Sequence, residues 1–314
     1  MFMDLIIIRI SICITCLFYG FLLCGQELYK NEYVTVSGKK MAYTGFGLEN
    51  RKEGDPVIVL ESGLGMGGGN YAPLFDYLST KTAWIAYDRN GIAGSEEDTL
   101  IRTDTDVVDR LRELLKVLNV APPYILVGHS LGGPFIRLYV SRYPEEVAGL
   151  IFIDPTDFML TAAEDKLVKA NSSSAMGYRK LWTILLERMA NEASLPDGVR
   201  NEMRREKEAS MPEFFKEYTS LPPLPDIPVV VLIAYNRRIE PFEIETSKEL
   251  DINIRPWFAG LDQFRVIHYS EMIKENNHSK VILLPGYSHG IHNQDPELVA
   301  TCILEVYQHS LEQQ

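Results

Sequence analysis

The chain has 314 residues, of which 46% are hydrophobic and 24% are charged, and its formal net charge at pH 7 is −12. This composition is that of a soluble globular protein, and the length suits one large α/β domain or two small domains. The strong negative charge argues against nucleic acid and against an anionic membrane surface as partners.

The first 25 residues differ from the rest of the chain. Arg9 precedes an apolar run from residue 10 to residue 23, which is short for a transmembrane helix and suits a signal-peptide core. We predict that residues 1–25 are a signal peptide cleaved after Gly25, so that the mature protein is exported to a periplasm or secreted, with no stable membrane span. A retained membrane anchor, or a lipid attached at Cys24, is the alternative.

Only one cysteine, Cys302, lies outside this segment; the others are Cys13, Cys16 and Cys24. One thiol makes no intramolecular disulfide and no cysteine-based zinc site. The fold must therefore be stabilised by its hydrophobic core, which a chain of this length can build.

The mature chain alternates apolar strands with helical segments. A hairpin with its turn at Ser37-Gly38 is predicted first. Continuous apolar runs, typical of strands buried on both faces, follow at residues 56–62, 83–88, 124–128, 148–154, 227–235 and 280–286. Helical patterns occur at residues 71–78, 104–118, 131–143 and 256–275, and after Pro296. Repeated β-α units predict an α/β fold, a mostly parallel central sheet with helices on both faces.

Residues 156–226 interrupt this alternation, because they are polar and helical in pattern and contain no strand-like run. We predict a helical insert that lies as a lid over the carboxyl ends of the strands. The core domain then consists of residues 26–155 and 227–314.

The sequence Gly128-His-Ser130-Leu-Gly132 lies between a predicted strand and a predicted helix. It matches G-x-S-x-G, a tight turn that lifts a nucleophilic serine above a sheet. The helix that follows points the free N–H groups of its first turn at the same place. The turn is therefore predicted to present the hydroxyl of Ser130 for reaction.

A competing motif lies upstream. Gly63, Gly65 and Gly68 match G-x-G-x-x-G after a strand, and Asp88 ends the next strand 20 residues after Gly68. This spacing is that of a dinucleotide-binding loop. It would leave the serine turn without a purpose, whereas in a serine hydrolase the same loop supplies a backbone N–H to the oxyanion hole.

Five segments together resemble the α/β-hydrolase superfamily over nearly all of the mature chain: VIVLESGLG, YDRNGIAGS, YILVGHSLGG, GLIFIDP and PGYSHGIHNQDPE. The resemblance implies a Ser–acid–His order along the chain, a lid inserted after the sixth strand, a small acyl substrate, water as the second substrate, and no cofactor. It implies Ser130 as nucleophile and His289, early in the last loop, as base. His292 is the alternative base; the pair His289-x-x-His292 is only a weak metal signal, since a third ligand is missing.

The acid of the triad is less clear. In most relatives it follows the strand that here is IPVVVLIAY, but the next residues are NRRIEP and no Asp is present. Asp154, which ends the strand after the serine turn, and Glu240, in the expected loop, are the two main candidates. Asp251 and Asp262 are further ones. Each would orient the imidazole and stabilise its protonated form.

Backbone N–H groups of Leu131 and Leu64 are expected to form the oxyanion hole. The sequence has Glu61-Ser62-Gly63 where many relatives have His-Gly, so the second donor departs from the family pattern. Asp88 and Arg89 are expected to brace these loops, as an ion pair. Four residues of the insert could line an acyl pocket: Trp182, Leu185, Leu186 and Met189.

The sequence thus predicts an exported serine hydrolase that cleaves an ester or related acyl compound through an acyl-enzyme. A ligand-binding protein with little catalysis is an alternative, as is an amidase, aminopeptidase or lactonase that uses the same residues, since fold does not choose the substrate.

Overall fold

The computed structural model describes residues 29–210 and 213–312. The predicted signal peptide, residues 1–25, lies outside the described residues. Within the described part of the chain, no helix is both long enough and apolar enough to cross a membrane.

Eight strands form one sheet: β1 (Glu32–Val36), β2 (Lys39–Phe46), β3 (Val57–Glu61), β4 (Ala83–Tyr87), β5 (Tyr124–His129), β6 (Val147–Ile153), β7 (Val229–Ile233) and β8 (Lys280–Leu283). The helices are α1 (Ala72–Ser79), α2 (Asp104–Val117), α3 (Gly132–Arg142), α4 (Ala162–Asn171), α5 (Tyr178–Asn191), α6 (Asp197–Ala209), α7 (Pro241–Glu249), α8 (Ile254–Ile273), α9 (Ile291–Gln294) and α10 (Pro296–Glu312).

The strands lie side by side in the order β1-β2-β4-β3-β5-β6-β7-β8. The pairs β1–β2 and β2–β4 are antiparallel, and all other neighbours are parallel. The first two strands form the predicted hairpin, whose turn residues Ser37 and Gly38 both have positive φ, at 48° and 79°. The prediction of a mostly parallel sheet is therefore confirmed.

Helices cover both faces of this sheet because alternate residues of each buried strand point to opposite sides. On one face, Val59 and Leu126 pack with apolar residues of α2 and α3. On the other face, Leu60 and Val127 pack with α1 and α10. The two clusters form the core, as the predicted α/β fold requires.

Between β6 and β7 the chain forms the three helices α4, α5 and α6. Helix α6 lies against the loop after β3, since a Cβ atom added at Gly65 would be 3.0 Å from Met203 Cε and 3.2 Å from Val199 Cγ1. This insert therefore meets the core at the carboxyl ends of the strands.

Helix α7 was not predicted from the sequence. It carries no apolar stripe, because Ile244 is exposed and Phe242 is half-buried. The helix begins at N-terminal capping residues: Glu240 and Glu243 form a capping box, and Pro241 occupies the first turn.

Candidate active site

Ser130 occupies the turn between β5 and α3, with φ of 54°. This left-handed conformation is uncommon for a residue with a side chain. Backbone bonds hold it: the Ser130 N–H donates to the Ile153 carbonyl at 3.1 Å, and the Ser130 carbonyl accepts from Gly133 and Thr156 at 3.0 Å each. Strain held in this way by surrounding bonds is typical of a functional position.

The glycines beside Ser130 are required by close backbone contact. A Cβ atom at Gly128 would collide with the carbonyl of Gly132, and one at Gly132 would collide with the carbonyl of Glu61. The motif therefore brings the turn directly against the end of β3, which is where the loop with Leu64 begins.

His289 lies in the loop between β8 and α9, and its ring is 45% exposed. Its Nδ1 is 2.6 Å from Oδ2 of Asp154, which follows β6 and is 1% exposed. An imidazole that donates its Nδ1 proton to a carboxylate keeps Nε2 free to accept a proton. The structure thus brings together His289 and Asp154, the base and one of the acids expected from the sequence.

The carboxylate of Asp154 is fixed on its other side. Its Oδ1 accepts a hydrogen bond from the Ala234 N–H at 2.9 Å and lies 2.9 Å from Nη1 of Arg265 on α8. Burial acts to raise the pKa of Asp154, but the Arg265 guanidinium and the hydrogen bond from His289 together hold it below its ordinary value. Asp154 is therefore ionised at neutral pH.

The other acid candidates have different environments. Glu240 caps the N-terminus of α7, and its Oε1 is 3.6 Å from Nε of Arg238. Asp251 is exposed on the loop before α8. Asp262 is buried and binds the Asn236 N–H at 2.8 Å and Arg265 Nη2 at 2.8 Å. Among the described residues, Asp154 is the carboxylate that contacts the ring of His289.

A second histidine, His129, packs beside His289 with ring centroids 4.7 Å apart, and it contacts a third, His292. His129 and His292 are buried, and their ring centroids are 4.6 Å apart. The Nε2 of His129 donates to the carbonyl of His289 at 3.1 Å. Burial, with a smaller effect of His289, lowers the pKa of His292 to about 3, so this ring is neutral.

The Nε2 of His292 contacts the side-chain amides of Asn70 and Asn293, at 2.9 and 3.1 Å. Within residues 29–210 and 213–312, no group of three His, Cys, Asp or Glu side chains is placed to bind a metal ion.

The predicted oxyanion loop is held by buried charges. Arg89, after β4, donates from Nη1 to the carbonyl of Ser62 and from Nη2 to that of Gly63, at 2.6 Å each. It also pairs with Glu61 and, across to α6, with Glu202, at 2.7 Å each. Glu202 in turn accepts the N–H of Gly65. Residue 64 is thus bracketed by fixed neighbours.

The N–H groups of Leu64 and Leu131 donate to no acceptor in the described part of the chain. No hydrogen bond within the described fold therefore competes for these two N–H groups. A Cβ atom at Gly63 would be 3.2 Å from Ser130 Cβ, which shows how closely this loop approaches the serine.

Asp88 and Arg89 brace the loops through other partners and not through the expected ion pair with each other. Asp88 accepts the N–H groups of Gly68 and Gly94, at 2.9 Å each. Its carboxylate therefore closes the glycine-rich loop, instead of pointing out to a ribose as a dinucleotide-binding acid does.

Of the four insert residues considered for an acyl pocket, Trp182 and Leu186 are buried in the hydrophobic core and Met189 packs against it. Leu185 is half-buried. Ring contacts link Trp182 to Tyr178 and Phe215, at 6.0 and 6.3 Å between centroids.

Sequence reasoning missed two residues of this region, Glu202 and Arg265. Both lie in helices whose partners are distant along the chain, so no local motif includes them. Only a weak indication of Arg265 is present in the sequence. Asp262 and Arg265 are charged residues spaced three apart in a largely apolar helix, and they pair with one another.

The alpha/beta hydrolase family model matches residues 58–301. The chain is 26% identical to YqjL of Bacillus subtilis over 266 residues, which cover 83% of this chain and 88% of that protein. It is 28% identical to a (lyso)-N-acylphosphatidylethanolamine lipase of Bos taurus over 150 residues, but these cover only 47% of this chain and 44% of the lipase.

Solved structures share the fold. Carboxylesterase CesB of Bacillus subtilis superimposes with a TM-score of 0.55 at 14% identity, covering 94% of this chain and 97% of the esterase. Epoxide hydrolase CorEH superimposes with a TM-score of 0.57 at 15% identity, covering 89% of this chain and 99% of that chain.

The sheet order, the serine turn and the family match agree on the class of protein. This chain belongs to the alpha/beta hydrolase family.

Proposed function

We propose that the protein is a serine hydrolase that cleaves an ester or related acyl compound through a covalent acyl-enzyme on Ser130. The observation that carries this proposal is the 2.6 Å contact of His289 with the ionised Asp154, together with the strained turn at Ser130, whose N–H donates to the carbonyl of Ile153, the residue before Asp154. A serine hydroxyl is a weak nucleophile and needs a base of this kind.

His289 removes the hydroxyl proton of Ser130 while the Ser130 oxygen attacks the acyl carbon. The protonated His289 then gives that proton to the leaving group. Asp154 holds the imidazole in the tautomer with Nε2 free and stabilises the protonated ring. Water repeats the same steps on the acyl-enzyme and releases the acid, so the chemistry needs no cofactor.

The N–H groups of Leu64 and Leu131 bind the oxyanion of the tetrahedral intermediate. Arg89, Glu61 and Glu202 keep the loop of Leu64 in place, so the donors are oriented before the reaction begins. Preorganised donors of this type are usually the largest single contribution to acyl-transfer catalysis.

The choice of an acyl substrate is supported by the names of two similar proteins, a lipase and a carboxylesterase. An amide or lactone would use the same three residues, and a substrate panel separates them. A ligand-binding role is less favoured, because an ionised acid paired to a histidine beside the serine has no use in binding alone.

The test is hydrolysis of a series of p-nitrophenyl esters of increasing acyl length by wild-type protein and by Ser130→Ala. We expect the wild type to turn over at least one ester and Ser130→Ala to lose essentially all turnover, with its unfolding temperature unchanged within a few degrees. Equal turnover by a folded Ser130→Ala variant would disprove the proposal.

A further inference from the structure

Arg265 sits behind the candidate triad, in a place where no sequence motif leads one to expect a cation. Its guanidinium is buried between two carboxylates, at 2.9 Å from Asp154 Oδ1 and 2.8 Å from Asp262 Oδ1. The side chain is 13% exposed. A buried arginine of this kind is costly unless its pairing is close and geometrically fixed.

The contacts divide the two oxygens of Asp154 between different partners. Arg265 and the Ala234 N–H contact Oδ1, whereas His289 is the partner of Oδ2 among the described residues. A carboxylate anchored at one oxygen cannot rotate freely, so the direction of the bond to the imidazole is set by α8 and by the end of β7.

The same contacts have an electrostatic consequence. The positive charge of Arg265 partly offsets the negative charge of Asp154, which reduces the attraction of Asp154 for a protonated His289. Asp262 reduces that effect, because it neutralises part of the charge on Arg265. Arg237, after β7, adds a further positive charge near Asp154. The neutral ring of His129 packs beside that of His289, with centroids 4.7 Å apart, and the neutral ring of His292 packs against His129.

This arrangement also places Arg265 at the end of β7, where relatives usually carry their acid. The Asn236 N–H, in the loop that follows β7, donates to Asp262 Oδ2 at 2.8 Å. The Asp262–Arg265 pair thus lies against the start of that loop, and Arg265 reaches from there to Asp154, which follows the neighbouring strand.

We propose that Arg265 is a positioning residue that aims Asp154 at His289 and tunes how strongly Asp154 holds the protonated imidazole. The inference rests on the proposed function, since it requires that His289 and Asp154 serve Ser130.

The experiment measures the pH dependence of kcat/KM, with a p-nitrophenyl ester, for wild type, Arg265→Gln, Arg265→Lys and Asp262→Asn. Arg255→Gln is the matched control, because Arg255 is exposed in the first turn of the same helix. Asp154→Asn is measured in parallel.

The charges determine the direction in which the acid limb of the pH profile moves in each variant. Removing the cation in Arg265→Gln strengthens the hold of Asp154 on protonated His289, so the acid limb moves to higher pH, by roughly half a unit to one unit. Asp262→Asn leaves Arg265 less neutralised and moves the limb to lower pH. Arg265→Lys keeps the charge but loses the planar fork, so the limb stays while kcat falls about tenfold.

An acid limb that stays in place in both Arg265→Gln and Asp262→Asn, while Asp154→Asn is inactive, would overturn this inference and leave the proposed function standing. An Asp154→Asn variant as active as wild type would instead overturn the proposed triad. If Arg265→Gln does not fold, the other two variants still decide the question. We expect the acid limb to shift in Asp262→Asn and to stay in place in Arg265→Lys.

Discussion

At the scale of single residues, the backbone position of Asp154 after β6 explains why this carboxylate contacts His289. Asp154 directly follows β6 with φ of 40°, and its N–H donates to the Leu232 carbonyl at 2.7 Å. These backbone constraints turn its side chain toward the ring of His289. Glu240 lies in the loop after β7, at the N-cap position of α7, where its N–H donates to Glu243 Oε2 at 2.9 Å and its carboxylate is 3.6 Å from Arg238.

We expect Asp154→Asn to lower kcat by about a thousandfold or more, because an amide cannot hold the correct imidazole tautomer or stabilise the protonated ring. Glu240→Gln should retain kcat within about twofold. Steady-state kinetics on the best ester of the series measures both variants. The opposite ranking would move the acid to the loop after β7.

At the scale of elements, helix α6 of the insert is tied to the oxyanion loop. Glu202 bridges from α6 to Arg89 and to the Gly65 N–H, and all of these groups are buried. The insert therefore contacts the loop that carries Leu64, the residue we propose as an oxyanion donor.

Glu202→Gln should lower kcat by about tenfold and change KM by less than about twofold, because the lost charge loosens a donor that acts on the transition state. Glu208→Gln is the control, since Glu208 is exposed on the same helix. A change confined to KM would show that Glu202 serves substrate binding instead of the oxyanion loop.

At the scale of the whole molecule, the alternation of strand and helix predicted the architecture well. The buried strands are largely continuous apolar runs, and the G-x-S-x-G motif fell between one of them and a helix. Ser130, His289 and Asp154 were also named from the sequence, although the acid was left open among Asp154, Glu240, Asp251 and Asp262.

The remainder could not be predicted, because it depends on contacts between distant segments. Arg89 meets Glu202 across 113 positions, and Asp154 meets His289 across 135. Helix α7 begins at a cap and lacks an apolar stripe, so hydrophobic periodicity could not reveal it.

From residues 1–25 alone, we propose that the chain is exported. Expression of the full chain in a secreting host should yield a mature protein that begins at Gln26, and intact-mass spectrometry of the exported fraction measures this. An uncleaved chain recovered from membranes, or a mass that corresponds to a lipid on Cys24, would support anchoring instead.

The most direct test of the central claim is to incubate residues 26–314 with a fluorophosphonate probe and to map the adduct by peptide mass spectrometry. We expect a single adduct on Ser130, formed much more slowly in Asp154→Asn. A protein that unfolds cooperatively, and is therefore folded, but takes no label on Ser130 would contradict this expectation and would point to ligand binding without catalysis.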